Sequence, residues 1–205
     1  MSAKKKFFSL NRIEALSDGI FAIAMTILIL NISVPDKEIV EKIGLLKAIL
    51  NNAIEFYTYF LSFLLLGIFW IIQRQQMSIF IKTDQKHMWL TVLLLMFICL
   101  VPFSASIFSD YSEENVAAFI FCSNMFIIGL FFLGIWHYAT KDHRLVAADF
   151  SRDEIFNGRR NVLAFVFVAI LAMGAALIIP AYSGMVFMLI PLLKPFARKI
   201  FSTKA

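Results

Sequence analysis

Long apolar runs alternate with short charged stretches along this chain, and that alternation predicts its elements. Six runs are long enough, or nearly so, to cross a bilayer as helices, which need about 20 apolar residues at roughly 1.5 Å each. They cover residues 16–34, 49–72, 88–108, 115–138, 161–179 and 185–201. Only helices or closed barrels satisfy their backbone groups within lipid. The chain is therefore expected to be an all-α membrane protein with six transmembrane helices in one domain, 1–205. Pro35 stops the first helix, Pro102 is expected to kink the third, and the cluster from Pro180 to Gly184 separates the fifth from the sixth. Residues 36–47 read as a solvated connector, 74–87 as a polar connector, 110–114 as an acidic loop and 141–160 as a charged connector.

Composition supports this picture. Of the 205 residues 60% are hydrophobic and 16% charged, against about 25% charged in soluble domains. The net charge of +5 could suggest a nucleic-acid partner, but the Lys and Arg residues flank apolar spans and form no aromatic-interleaved surface. Membrane lipid is the expected surrounding, and no nucleic acid is expected. With six spans, every basic residue except Lys37, Lys42 and Lys47 falls on one side, which puts both termini in the cytoplasm. Cys99 and Cys122 lie in apolar runs and read as packing residues. The N-terminal MSAKKKFF is like the basic region of a signal peptide. The run after it contains Asp18 and ends without a small-x-small site, so it reads as a retained first helix.

The stretch from Arg12 to Pro35 carries the candidate chemistry. Asp18 stands at the mouth of an uncharged run from Gly19 to Val34, with Arg12 and Glu14 one to two turns earlier. An ionisable group at a membrane edge is costly unless it is paired or wet. Ile23, Ile27 and Leu30 form a stripe at i, i+4, i+7 with Thr26 beside it, while Ile29 is expected on the opposite, packed face. Ordinary packing or lipid contact would produce the same spacing. Adjacent Ser17 and Asp18 point in different directions on a helix and do not make a hydrolytic site. No nucleophile elbow, metal-ligand cluster, Walker loop or dinucleotide fingerprint occurs, so neither an enzyme nor a cofactor is expected. An ion- or proton-coupled secondary transporter and a non-conducting scaffold remain alternatives to a channel.

Arg12, Leu16, Ser17 and Asp18, followed by GIFAIAMTILIL, resemble the R-x-x-x-F-S-D signature of the transmembrane protein 175 family, the lysosomal potassium channels and their bacterial homologues. Leu16 replaces the usual Phe. The resemblance continues through Trp70 and Gln73, where relatives often carry W-x-x-H, through Trp89, and through Pro102-Phe103; Thr91 stands where an Asn is common. It implies a potassium-preferring cation channel, with potassium as the permeant ion and no TVGYG carbonyl filter, in a prokaryotic plasma membrane. The single signature implies a homotetramer, since eukaryotic relatives carry two six-helix repeats per chain and pair as dimers. Helix one would then line a central pore, with the constriction at Ile23, the same pore face at Ile27 and Leu30, and a selectivity contribution from Thr26. Ser17 and Asp18 would be structural, bonded to Arg12, Gln73 and Trp89 and tying helix one to helices two and three.

Overall fold

The computed structural model describes residues 10–190, and among these the chain is helical without strands. Its helices are α1 (Leu10–Ile27), α2 (Lys37–Ile43), α3 (Leu45–Asn51), α4 (Ala53–Ile79), α5 (Gln85–Cys99), α6 (Val101–Asp110), α7 (Asn115–Thr140) and α8 (Arg152–Ala176). A 3-10 turn, Leu28–Asn31, prolongs α1, and a 3-10 segment, Pro180–Met188, follows α8. Five spans are long and apolar enough to cross a membrane: Leu10–Asn31, Ala53–Ile79, Gln85–Asp110, Asn115–His143 and Arg152–Ala176. The chain is a multi-pass, all-helical membrane protein. Most of the expected sixth helix, 185–201, lies outside the described residues.

Several boundaries differ from those expected from hydropathy. The fifth span starts at Arg152, nine residues earlier than expected, because Ser151 and Glu154 form a capping box. Ser151 Oγ accepts from the Glu154 N–H at 3.2 Å, and the Ser151 N–H donates to the Glu154 carboxylate at 3.0 Å. The second span continues to Ile79 through polar residues that hydropathy assigned to a connector. Gln76 is buried there and donates to the Phe132 carbonyl at 3.1 Å. What remains of that connector folds inward: Thr83, Asp84 and His87 are buried, and Tyr138 Oη donates to Asp84 at 2.6 Å. The expected solvated connector after Pro35 is two short helices, α2 and α3. They are parted at Gly44, whose φ of 83° only glycine adopts readily.

Pro102 breaks the third span into α5 and α6. It occupies the first turn of α6, where its missing N–H costs no helical bond. Asn124 of α7 donates to the Phe97 carbonyl at 3.4 Å and to Ser104 Oγ at 3.2 Å, bracketing the break.

The core is organised around α7, which packs against α8, α5, α6 and the last 3-10 segment. Six buried rings run through it in sequence: Phe132, Phe69, Phe165, Phe187, Phe121 and Phe108. Neighbouring centroids lie between 4.9 and 6.3 Å apart, within the range where offset or edge contacts are favourable. This ladder joins α4, α6, α7, α8 and the 3-10 segment. The first span takes no part in it and lies instead against α4, α5 and α6.

Close approach of α8 to α7 depends on Gly158. A Cβ built there would collide with the Trp136 ring, beside the bond from Trp136 Nε1 to the Ile155 carbonyl at 3.1 Å. Gly158→Ala should therefore force the indole aside and cost about 1–3 kcal/mol. Thermal unfolding in detergent, followed by Trp fluorescence, checks this; an unchanged midpoint would show that the ring gives way freely.

Candidate functional site

Helix α1 buries a narrow stripe and exposes the rest. Ile13, Ser17, Phe21 and Ala24 of α1, with Leu28 just beyond it, face the protein at three- and four-residue spacing. Ile23, Thr26, Ile27 and Leu30 are all exposed, Ile23 by 59% and Leu30 by 78%. Among the described residues, therefore, no helix covers the four residues predicted to form the stripe and its hydroxyl. Ile23 and Ile27 lie at the edge of this face, bordering a groove of about 400 Å³ shared with Cys99, Pro102 and Phe103. Thr26 Oγ1 donates to the Ile23 carbonyl at 2.8 Å. Its hydrogen is thus engaged within the helix and its lone pairs remain for an outside donor or cation.

Ile29 does not face packing as expected; it is 49% exposed, whereas Leu28 is fully buried. The packed face is centred on Phe21, Ala24 and Leu28. A helix resting against neighbours on one side leaves more than half its perimeter open, so lying away from the stripe is not enough to bury a residue.

A polar seam holds the N-terminal half of α1 to α4. Ser17 Oγ donates to the Ile13 carbonyl at 2.8 Å and accepts from Gln73 Nε2 at 3.4 Å, both groups buried. Asp18 Oδ1 accepts from the Trp70 indole N–H at 2.9 Å. Arg74 stands 3.6 Å from Asp18 and 4.0 Å from Glu14. Trp70, Gln73 and Arg74 occupy i, i+3, i+4 on α4, so one helical face supplies all three partners.

Two expected members of this seam are elsewhere. Arg12 precedes Asp18 by six residues, about 120° around the helix at 3.6 residues per turn, and is exposed on the other side. Trp89 on α5 is 61% exposed. Among the described residues neither bonds Ser17 or Asp18, whose partners across helices all come from α4. Trp70, Arg74 and Glu14 take the places proposed for them. The signal was present in the sequence as Trp70-x-x-Gln73-Arg74, a helical face of donors opposite an acidic one.

The chain is thus a multi-pass, all-helical membrane protein with one membrane helix fastened along one edge and, among the described residues, bare along the other. Residues 12–102 match the family described as endosomal/lysosomal potassium channel TMEM175. A potassium channel of Chamaesiphon minutus is 33% identical over 147 residues, covering 70% of this chain and 72% of the relative. A potassium channel of Streptomyces collinus is 35% identical over 138 residues, covering 65% and 66%. The endosomal/lysosomal proton channel TMEM175 of Gallus gallus is 29% identical over 92% of this chain, which spans only 40% of that longer protein. The crystal structure of a lysosomal potassium-selective channel TMEM175 homologue from Chamaesiphon minutus superposes with a TM-score of 0.81 at 28% identity, covering 94% of this chain and 98% of the other. The chain belongs to the TMEM175 family, whose members are ion channels and not enzymes.

The seam's energetics are separable. The Trp70–Asp18 bond, short and directional but at the exposed edge of the seam, falls at the low end of the about 1.5–3 kcal/mol of a hydrogen bond to a charged acceptor, while the half-exposed Arg74 pair gives about 0–1 kcal/mol. Trp70→Phe should thus lower the unfolding midpoint in detergent more than Arg74→Gln does. The reverse order would make the Arg74 pairing the principal tie.

Proposed function

We propose that the chain is one subunit of a homotetrameric, potassium-preferring cation channel whose pore is lined by the exposed face of α1. The observation that carries this reading is the uncovered face itself: Ile23, Thr26, Ile27 and Leu30 stand free while the opposite stripe is buried and polar groups fix the helix's rotation. Four copies around an axis would set Ile23, Ile27 and Leu30 into successive apolar rings. Such rings hinder ions by dewetting, and a carbonyl filter is not required for that. No TVGYG segment occurs in the sequence. Thr26, with its hydroxyl hydrogen committed to Ile23, would offer oxygen lone pairs to a dehydrating cation and so contribute to selectivity. Ser17, Asp18 and Gln73 then act from behind, setting which face meets the pore. Six spans, with both termini cytoplasmic in a prokaryotic plasma membrane, agree with the distribution of basic residues.

Liposome flux on purified protein tests the reading. Potassium should move down its gradient without a proton or sodium gradient, and native mass measurement should give four subunits. Ile23→Asn should hydrate the ring and raise flux per assembled channel, with stability within about 0.5 kcal/mol of the parent because the side chain is exposed. Leu28→Asn, on the buried stripe, should instead lower the folded yield. Gradient-coupled, saturable uptake would replace the channel with a transporter. An Ile23→Asn variant that unfolds without changing flux per channel would make Ile23 a packing residue.

A further inference from the structure

The outer end of the first span is built differently from the rest of it. At Leu28 the α-helix tightens into the 3-10 turn Leu28–Asn31, and the chain then runs extended from Ile32. A 3-10 turn is longer per residue than an α-turn, about 2.0 Å against 1.5 Å. Four residues are therefore drawn out by about 2 Å. The form also turns about 120° per residue, so residues three apart eclipse, and Leu30 stands in line with Ile27. Relaxation to α-helix would swing Leu30 about 60° off that line. Short 3-10 stretches have poorer hydrogen-bond geometry, so this one needs holding at both ends.

Its start is fixed by Leu28, fully buried. Its end is held by three side chains. Asn31 Nδ2 donates to the Pro102 carbonyl at 2.9 Å. The Ser33 N–H donates to Glu55 Oε2 at 2.6 Å. Asn52 Nδ2 donates to the Ser33 carbonyl at 2.9 Å and lies 3.5 Å from the same Glu55 oxygen. Asn52 is the N-cap residue of α4, yet its side chain makes no cap bond; its amide is turned across to the first span instead. Glu55 sits in the first turn of α4, where the helix dipole favours a carboxylate. Both backbone groups of Ser33 are thus gripped by the start of α4.

We propose that Glu55, with Asn52, is the positioning residue that keeps the outer turn of the pore-lining helix extended and Leu30 in register with Ile27. The proposal rests on the reading that α1 lines the pore. Glu55 touches no permeant ion in this account; it acts through Ser33.

The test places a reporter on the turn. In a background with Cys99→Ser and Cys122→Ala, Leu30→Cys is exposed to a cationic thiosulfonate from outside while potassium current is recorded. The parent thiol should react and the current should fall. Glu55→Ala should slow that reaction about tenfold, as expected for losing one charge-assisted hydrogen bond. Glu55→Gln, which keeps an acceptor oxygen at the same reach, should stay within about threefold of the parent. A Glu55→Ala rate equal to the parent's overturns the clamp while leaving the pore reading standing. If Glu55→Ala does not assemble, Asn52→Ala is read in its place, and an unchanged rate there overturns the clamp equally. A parent thiol that reacts without altering current, or does not react, overturns the pore reading and this proposal with it.

Discussion

The bond from the Trp70 indole to Asp18 decides what the first helix presents. A helix resting on an apolar stripe alone could roll, because lipid is as apolar as the groove it would leave. A carboxylate cannot roll into lipid without cost. Pinning Asp18 to α4 with an indole N–H, and Ser17 to Gln73 beside it, gives the helix one rotational setting. That setting leaves Ile23, Thr26, Ile27 and Leu30 uncovered. The same constraint explains why a protein of a membrane should keep an ionisable residue at this point: its strength is directional where apolar packing is not.

Behind the seam stands a scaffold of different character. The ladder of six phenylalanines through α4, α6, α7, α8 and the last 3-10 segment contains no residue of α1. Ring packing there, with the bond from Gln76 to the Phe132 carbonyl, holds α4 against α7, and the close contact at Gly158 holds α8 against α7. Since α4 carries Trp70, Gln73 and Arg74 near one end and Asn52 and Glu55 at the other, a rigid α4 serves as the ruler along which the first span is laid. The first span contributes Ile13, Phe21, Ala24 and Leu28 to the same buried core but no ring to the ladder.

Much of this was legible in the sequence, and the failures have physical causes. Hydropathy located five spans that the structure describes, because lipid demands long apolar helices. It misplaced their ends wherever polar residues continue a helix inside the protein. Gln76 is buried against Phe132, so α4 outlasts its apolar run. Ser151-Arg-Asp-Glu154 is a capping box visible in the letters, yet the charges around it suggested a loop. The residues exposed on α1 could be listed from spacing, but spacing did not say which neighbours α1 would have, and Ile29 was misjudged for that reason. The seam's members could not be chosen by resemblance alone. Trp89 stands on α5, and the partners that hold Asp18 lie one face away, on α4. The 3-10 turn left no mark in composition, since Leu28, Ile29 and Leu30 would suit an α-helix equally well.

The first span is thus fastened twice, in two chemistries. Its N-terminal half is tied by Ser17 and Asp18 to the later turns of α4, its C-terminal end by the Ser33 backbone to the first turn of the same helix. Between the two ties it is held mainly by apolar contact, through Phe21, Ala24 and Leu28 with Ile20 and Met25 beside them. A polar tie resists rotation and an apolar contact resists separation, so the middle can adjust by small shifts while the ends keep register. Pro102 adds a further contact at this end. Its carbonyl, in the first turn of α6, accepts from Asn31 Nδ2 at 2.9 Å; a carbonyl oxygen has two lone pairs, so a helical bond and this one can coexist. The turn at which helix three breaks is therefore also a contact surface for helix one, and Pro102 and Phe103 of that turn line the groove beside Ile23 and Ile27.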